Sequence, residues 1–392
     1  MNRSRPKRQK TDAVHAGEGA RRAATPLTTP VYATSTFVFE SAAALEAHQR
    51  GGTDTYIYSR YGNPTVEAVE QKLAALEGAE AALLTSSGMA ATATAVFGWL
   101  SAGDELVCAA AVYGGTSRML TDCLARFGVT VRFVPLGALE TGEAIEPGKT
   151  RMVWFESPTN PTLRCLDIAR VAEACRRQGV LSVIDNTFAS PVNQRPLEFG
   201  IDLVMHSATK YLGGHSDVIA GALVGARSVL ARLEPARKLF GGVIDPSAAS
   251  ALGRGMKTLV VRVEAQNASA MRLAEWLRGD PRVSRTYYPG LADHPEHAIA
   301  RAQMDGFGGM ITFEVAGGYE AACRCFDRLR VVQRAASLGG VETLCSLPVL
   351  TSHHGFTDAQ LADAGVTRSM IRLSVGLEDV ADLLDDLDQA LG

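Results

Sequence analysis

Short apolar runs alternate with helix-like stretches through the middle of the chain. The apolar runs are AALLTS, DELVCAA, VTVRFVP, RMVWFE, VLSVIDN and DLVMHSAT, and the stretches between them include TSRMLTDCLARFG and DIARVAEACRRQG. Continuous apolar runs predict strands that are buried on both faces, and strand–helix alternation predicts a mostly parallel sheet covered by helices. Such sheets bind ligands at the carboxyl ends of their strands.

The pattern changes on both sides of this region. The first 60 residues are rich in Thr, Pro and Ser and predict neither a compact helix nor a sheet. The segment PTVEAVEQKLAALEG then predicts a helix from Pro64 to Gly78. Beyond about residue 253, a long helix (TLVVRVEAQNASAMRLAEWLRG) precedes the strand candidates GMITFEV and MIRLSVG and a closing helix, LEDVADLLDDLDQAL. These segments predict a smaller α+β domain.

Composition narrows the class of protein. The 392 residues are 46% hydrophobic and 21% charged, which is typical of a soluble globular chain with room for two domains. The net charge of −3 gives no reason to expect nucleic acid or an anionic membrane as a partner. No apolar run is long enough to span a membrane. The seven cysteines are scattered and no His/Cys cluster has metal-ligand spacing, so we expect a reduced, cytoplasmic protein without a metal.

A lysine follows one of the predicted buried strands. Lys210 lies in HSATKY, with the hydroxyl residues Ser207 and Thr209 just before it. Desolvation lowers the pKa of a lysine, and the neutral amine can form an imine with a carbonyl compound. The two hydroxyl groups could bind an anion. Taken alone, the motif is also compatible with an ordinary surface lysine.

Two more chemical groups lie at predicted strand ends. Asp185 closes VLSVID, where a carboxylate either caps a loop or meets a ligand at the sheet edge. Gly88 and Met89 follow AALLTS, and their amides at a helix N-terminus would bind an anion, although many ligand-free loops are equally rich in glycine and serine. The chain contains neither GxxxxGK[ST] nor GxGxxG, so nucleotide loops of those types are not indicated.

These three features match one ligand when they are taken together. An anion site, an acid and a lysine occur in a workable order along the chain. A pyridine that carries a phosphate and an aldehyde, as in pyridoxal 5′-phosphate, would use all of them. The acid would pair with the protonated ring nitrogen, which makes the ring an electron sink.

Nine motifs resemble those of the Cys/Met-metabolism (trans-sulfuration) family of fold-type I pyridoxal-phosphate enzymes. The family includes cystathionine γ-lyase, cystathionine γ-synthase, methionine γ-lyase and the homoserine-ester sulfhydrylases. The motifs are VHAG (14–17), YSRYGNPT (58–65), SSGMAA (86–91), VYGGT (112–116), ESPTNP (156–161), DNTF (185–188), SATKYLGGHSDV (207–218), SLGGVETL (337–344) and IRLSVGLED (371–379). The resemblance extends from about Thr11 to Leu391.

The resemblance implies an architecture. It implies an α/β fold of the aspartate aminotransferase-like type, with a mostly parallel, seven-stranded sheet and a smaller α+β C-terminal domain. We expect an N-terminal arm (1–62) that reaches a neighbouring subunit, a large domain that binds pyridoxal phosphate (63–252) and a small domain (253–392). The resemblance also implies a homotetramer, a dimer of dimers with intersubunit active sites.

The resemblance also implies roles for individual residues. Lys210 would be the Schiff-base lysine and proton shuttle, Asp185 the partner of the pyridine nitrogen, and Tyr113 the ring-stacking residue. Tyr113 or a neighbouring group would protonate the leaving sulfur. The phosphate-binding residues would be Gly88, Met89, Ser207 and Thr209, joined by Tyr58 and Arg60 from a neighbouring subunit. The substrate carboxylate would be held by Arg372, with Asn160 and Ser337.

The expected reaction is γ-elimination on a sulfur amino acid. A methionine γ-lyase-like activity would release 2-oxobutanoate, ammonia and a thiol. Cystathionine γ-lyase activity and γ-replacement, as in cystathionine γ-synthase or a homoserine-ester sulfhydrylase, remain alternatives. A non-catalytic pyridoxal-phosphate protein and an aminotransferase are more remote alternatives.

Three positions bear on specificity. Family members that use cystathionine usually have acidic residues where this chain has Ile57 and Ala336. Without an acid, the distal ammonium group of cystathionine has no partner, which favours an apolar tail such as the methyl group of methionine. Methionine γ-lyases, however, commonly have a cysteine where this chain has Gly115.

Overall fold

The computed structural model describes residues 9–18, 26–51 and 54–392. The remaining residues of the predicted N-terminal arm lie outside this description. Helices in the described part are α1 Gln9–His15, α2 Ala42–Gln49, α3 Pro64–Glu77, α4 Gly88–Trp99, α5 Gly114–Asp122, α6 Leu136–Thr141, α7 Ile168–Gln178, α8 Ser190–Asn193, α9 Arg227–Phe240, α10 Pro246–Met256, α11 Leu259–Gly279, α12 His297–Gln303, α13 Gly318–Arg328, α14 Asp358–Asp363 and α15 Val380–Leu391. Single 3₁₀ turns occur at Leu124–Phe127, Pro196–Phe199 and Pro348–Leu350.

The larger sheet has seven strands. They are β1 Ala81–Thr85, β2 Glu105–Ala109, β3 Thr130–Val134, β4 Thr150–Glu156, β5 Leu181–Asp185, β6 Leu203–His206 and β7 Gly221–Gly225, arranged in the order β1-β7-β6-β5-β4-β2-β3. Only β7 runs against the others, because it pairs antiparallel with both β1 and β6. The sheet is therefore mostly parallel, as the resemblance implied.

Each of the six predicted strands is present, with two differences from the prediction. The sequence did not predict β7, whose letters GALVG begin and end with glycine and resemble a loop. VTVRFVP was predicted to be fully buried, but β3 is the edge strand and exposes Thr130 and Phe133 because no strand covers its outer side. Neither difference moves the carboxyl ends of the central strands.

The helix α3 begins and ends at residues that the sequence predicted. The side chain of Asn63 accepts the amide of Thr65 at 2.9 Å, and Pro64 occupies the first turn, where it needs no intrahelical partner. Gly78 ends the helix in the left-handed conformation with φ of 69°. The next element is β1, so these caps set where the first strand of the sheet starts.

The smaller sheet belongs to the C-terminal part of the chain. Its strands are β8 Val283–Tyr287, β9 Met310–Val315, β10 Gln333–Arg334, β11 Leu344–Ser346 and β12 Met370–Ser374, arranged in the order β10-β11-β12-β9-β8. The long helix α11 packs its first turns into the core of the large sheet and its later turns into the core of the small one. The predicted boundary at residue 252 lies inside α10. The three-part division of the chain remains a prediction.

Part of the expected N-terminal arm packs against its own chain. Lys72 of α3 is buried and donates to the backbone oxygens of Ala13 and Val14, at 3.1 and 3.3 Å, at the end of α1. Gln9 donates to the backbone oxygen of Pro191 at 2.6 Å. The expectation that the first 60 residues contain no helix was wrong for α1 and α2. Tertiary contacts hold α1, whereas the start of α2 is capped by the side chain of Ser41, which accepts the amide of Ala44 at 3.1 Å. No helix in the described residues is long and apolar enough to cross a membrane.

Candidate active site

A cavity of about 620 Å³ opens at the carboxyl ends of β4, β5 and β6. Side chains from the small-sheet part of the chain close its other side. The predicted site residues that line it are Gly88, Met89, Tyr113, Asn160, Asp185, Ser207, Thr209, Lys210, Ala336, Ser337 and Arg372. The fold therefore brings together groups that lie far apart in the sequence. Within the described residues, no group of three or more His, Cys, Asp or Glu side chains is placed to hold a metal ion.

Lys210 is a partly buried amine inside this cavity. Its Nζ donates a hydrogen bond to Oγ of Ser337 at 2.9 Å. Burial, and then the positive charge of Arg372, lower the pKa of Lys210. Both effects favour the neutral amine, which is the form that attacks an aldehyde.

Asp185 is the last residue of β5 and projects into the cavity. Its Oδ1 accepts hydrogen bonds from the amide of Thr187 at 3.0 Å and from the hydroxyl of Thr187 at 2.5 Å. Burial raises the pKa of Asp185, although these hydrogen bonds oppose the change. A cation beside it would favour the carboxylate form, so the environment suits a protonated pyridine nitrogen.

The start of α4 forms a small anion site. Oγ of Ser87 accepts the amide of Ala90 at 3.1 Å, and the earlier amides of Gly88 and Met89 have no intrahelical partner. A Cβ at Gly88 would lie 2.9 Å from Oγ of Ser207, so only glycine allows this close approach. The amides, the Ser207 hydroxyl and the helix dipole together suit a phosphate group.

Thr209 lines the same region, but its hydroxyl already has partners in the protein. Oγ1 donates to the backbone oxygen of Ala220 at 3.1 Å and accepts the amide of Ala220 at 2.9 Å. A hydroxyl has one hydrogen to donate, and here that hydrogen is used. A direct contact from Thr209 to a phosphate therefore remains a prediction and would require the hydroxyl to rotate.

Arg372 is a buried cation on the opposite wall. It lies on β12, and its guanidinium donates to Oδ1 of Asn160 at 3.0 Å and to the backbone oxygen of Ser337 at 3.4 Å. Burial lowers its pKa to about 10, so it remains charged near neutral pH. A guanidinium carries five N–H donors, so donors remain for a carboxylate after these two contacts.

Tyr113 stands at the start of α5 with its side chain about half exposed. A Cβ at Gly115 would lie 2.4 Å from Cε1 of Tyr113 and 3.2 Å from Sδ of Met89. The tyrosine ring thus occupies the space that any larger residue at position 115 would need. Gly115 is not a lining residue itself, but it determines where the ring can lie.

Besides Gly115, three predicted site residues, Ile57, Tyr58 and Arg60, do not line the cavity of this chain. The guanidinium carbon of Arg60 lies 5.1 Å from the ring centre of Tyr61 and 5.6 Å from that of Tyr58. Ile57 lines a separate cavity of about 380 Å³. The sequence-based expectation that Tyr58 and Arg60 act on a neighbouring subunit accordingly remains a prediction.

The sequence interpretation missed one acidic residue of the cavity. Glu156 ends β4, pairs in register with Asp185 at the end of β5, and is buried. The signal was available, because RMVWFE ends in an acid just as VLSVID does. A ring nitrogen needs a single acid as its partner, so the sequence pattern alone gave Glu156 no separate role.

Fold and site together define an α/β protein built to hold a phosphorylated pyridine aldehyde on a lysine. The anion site at α4, the carboxylate of Asp185 and the amine of Lys210 all face one cavity. The absence of a Cβ at Gly88 leaves the space beside Ser207 that such a group needs.

Comparison with known proteins gives the family. The sequence model of the family of Cys/Met metabolism PLP-dependent enzymes matches residues 10–392 of this chain. L-methionine gamma-lyase of Pseudomonas putida is 42% identical over 386 residues, covering 97% of this chain and 96% of that protein. Cystathionine gamma-synthase 1, chloroplastic, of Nicotiana tabacum is 41% identical over 384 residues, covering 97% of this chain and 71% of that protein.

A solved structure agrees with the sequence comparison. Cystathionine gamma-lyase from Lactobacillus plantarum, complexed with L-serine, has a TM-score of 0.90 and 38% identity, covering 97% of this chain and 98% of that one. The chain therefore belongs to the Cys/Met metabolism family of PLP-dependent enzymes, its fold is of fold-type I, and its cofactor is pyridoxal 5′-phosphate.

Proposed function

We propose that this enzyme is a γ-lyase that acts on methionine and similar thioethers, releasing 2-oxobutanoate, ammonia and a thiol. The supporting observation is the charge of the cavity. Among its lining residues, all of which are described, the only acids are Asp185 and Glu156. Glu156 is buried and Asp185 is partly buried, each at a strand end, and both accept hydrogen bonds from the protein. The position at Ala336 offers no carboxylate to a distal ammonium group, so an apolar tail suits it better.

The cofactor, when bound, supplies an electron sink for charge that develops at the substrate Cα. Lys210 would hold it covalently, Asp185 would face its ring nitrogen, and the Gly88 and Met89 amides with Ser207 would face its phosphate. Arg372 would hold the substrate carboxylate in a two-pronged contact, which fixes the orientation of Cα.

Proton transfer would be shared between two side chains. Lys210, whose lowered pKa supplies a neutral amine, would take the proton from Cα, pass it to the bound cofactor, and then take a proton from Cβ. The electron pair of the Cβ–H bond would form a Cβ=Cγ double bond as the Cγ–S bond breaks. The hydroxyl of Tyr113 would give a proton to the leaving sulfur at Cγ. The residues of the small-sheet side, Ser337 and Arg372, would keep the reacting atoms aligned with Lys210.

A product assay on three substrates tests this proposal. Purified enzyme with added cofactor is mixed with methionine, with cystathionine, or with an acylated homoserine and a thiol. We expect 2-oxobutanoate from methionine without any added keto acid. A requirement for a keto acid would indicate an aminotransferase, and no product from any mixture would indicate a protein without turnover. A preference for the acylated homoserine and the thiol would indicate that the enzyme catalyses γ-replacement rather than elimination.

Cystathionine γ-lyase and γ-replacement activities remain second candidates. Gly115 favours them, because methionine-specific members commonly have a cysteine at this position. A cysteine at 115 would also collide with the ring of Tyr113 as it lies in this chain, because the Cβ of the cysteine would be 2.4 Å from Cε1 of Tyr113. A residue with a side chain at 115 would require the Tyr113 ring to lie elsewhere.

Replacing Ala336 by glutamate should improve the use of cystathionine relative to methionine. The new carboxylate would stand in the cavity wall, where it could bind the distal ammonium group. We expect the ratio of kcat/KM for the two substrates to shift by about tenfold toward cystathionine, the worth of one charge-assisted hydrogen bond. Ala336→Gln is the matched control, since it adds the same bulk without charge. An unchanged ratio in Ala336→Glu would remove the argument from this position.

We further propose a homotetramer made of two dimers, in which Tyr58 and Arg60 contact the phosphate bound by a neighbouring subunit. Neither residue lines the cavity of its own chain, which supports an intersubunit role. Arg60→Ala should then weaken cofactor retention in the assembled oligomer by about tenfold or more, because a charged contact to the phosphate is lost. Retention is measured by dialysis and absorbance, with the exposed Arg301→Ala as control. Retention equal to that of the control would contradict the contact.

A further inference from the structure

Glu156 is a buried acid in the cavity wall to which the proposed mechanism gives no task. It is 4% exposed and lies beside Asp185 at the end of the neighbouring strand. Burial, and then the negative charge of Asp185, raise the pKa of Glu156. A buried carboxyl group beside a second acid is costly to ionise, so its position calls for compensating contacts.

The compensation comes from two backbone amides. Oε1 of Glu156 accepts the amide of Tyr113 at 2.5 Å, and the amide of Asn160 also donates to this carboxyl group. Tyr113 lies in the loop that follows β2, and Asn160 lies in the loop that follows β4. A single side chain therefore joins the two loops that carry the ring-stacking tyrosine and the partner of Arg372.

The backbone amide of Tyr113 helps to fix the backbone of this residue and therefore the position of its ring. Tyr113 is the N-cap residue of α5, and its own side chain makes no capping bond. The following residues add limits, since a Cβ at Gly114 would lie 2.5 Å from the backbone oxygen of Ser352 and one at Gly115 would meet the ring. The close packing at Gly114 and Gly115 restrains the residues after Tyr113, and the hydrogen bond to Glu156 restrains the backbone amide of Tyr113 itself.

We propose that Glu156 is a positioning residue that sets the place of the Tyr113 ring and, through Asn160, the guanidinium of Arg372. The second link is direct, because Oδ1 of Asn160 accepts from Arg372 at 3.0 Å. This inference rests on the proposed function for the task of the Tyr113 hydroxyl, but not for the binding of the cofactor. Glutamine at 156 would retain one accepting oxygen and replace the other by an NH₂ group, which cannot accept a backbone amide.

A double-mutant cycle in the holoenzyme tests the proposal. Glu156→Gln should lower kcat for methionine by about tenfold or more, since a buried amide loses its bond. Tyr113→Phe should cost much less in the Glu156→Gln background than in the wild type, because a displaced ring no longer delivers its proton to sulfur. Effects that multiply independently in the double variant would overturn the proposal.

Cofactor affinity gives a readout that does not depend on turnover. Titration of the apoenzyme with pyridoxal 5′-phosphate should show about tenfold weaker binding in Glu156→Gln, because the stacking ring is no longer held in place. The matched control is Glu105→Gln, which removes another buried carboxyl group from the same sheet, one that pairs with Arg132 at 3.0 Å. Equal affinities in the two variants would show that Glu156 has only a structural role.

A second variant and a second reaction separate failure of the positioning role from misfolding and from failure of the proposed function. If Glu156→Gln does not fold, Glu156→Asp keeps a carboxyl acceptor at a shorter reach, and the same cycle with Tyr113→Phe applies, with independent effects again contradicting the proposal. If the wild type releases no 2-oxobutanoate but performs γ-replacement, the cycle is measured on that reaction. Loss of coupling there would disprove the positioning role, whereas the product identity alone would disprove only the proposed function.

Discussion

Replacing Lys210 by alanine is expected to abolish both turnover and the absorption band of the bound cofactor. The wild-type enzyme should absorb at about 420 nm after addition of pyridoxal 5′-phosphate, because a lysine-bound form of the cofactor absorbs there. No other lysine lines the cavity within the described residues. The variant should therefore release the cofactor on dialysis, and its rate should fall by several orders of magnitude, since covalent attachment and the Cα proton transfer are both lost.

The exposed Lys149→Ala variant is the control, because Lys149 pairs with Glu146 and lies outside the cavity. It should retain the band and the rate of the wild type. A wild-type protein that stays colourless with added cofactor would contradict the central assignment. A band that persists in Lys210→Ala would mean that another amine carries the cofactor.

Replacing Arg372 by leucine should produce the second large effect. The guanidinium is buried and charged, and its loss removes two charge-assisted hydrogen bonds to the substrate carboxylate, each worth about 1.5–3 kcal/mol. We expect kcat/KM for methionine to fall by about 100- to 10,000-fold, mainly through KM. Steady-state kinetics of the cofactor-loaded variant measure this.

The amide of methionine provides the matched control for Arg372. It lacks the carboxylate, so the wild type should use it poorly, whereas Arg372→Leu should discriminate little between it and methionine. Strong discrimination in the variant would place carboxylate recognition elsewhere. The same variant should also raise the pKa of Lys210, because the charge of Arg372 is one cause of its lowering. Capture of the cofactor by the apoenzyme should then require higher pH, as protonated lysine does not attack.

The order of chemical groups could be predicted because each follows a strand with its own local signal. Lys210 and Asp185 come directly after apolar runs, and parallel strands bring their carboxyl ends to one edge. Gly88 begins a helix whose cap, Ser87, is recognisable by residue type. Arg372 was identified only through the resemblance, since its neighbours in sequence carry no sign that the side chain reaches another sheet.

Other features depend on contacts that no local pattern contains. The helix α1 is held by Lys72, and β7 is a strand because β1 and β6 lie on both sides of it. Thr209 was expected to donate to a phosphate, but its hydroxyl is bonded to Ala220. Such bonds depend on the separation of two backbones, which side-chain identity alone does not determine.

The sequence by itself determined the class of chemistry, since a lysine, an acid and a glycine-led helix start at three strand ends suit pyridoxal phosphate. Only the tertiary structure decided how the site is held. It brings Ser337 within 2.9 Å of Lys210, seats Tyr113 over Gly115 and joins two loops through Glu156. The physical reason is that chemical identity is a property of single residues, whereas burial and hydrogen-bond geometry arise only when distant segments pack together.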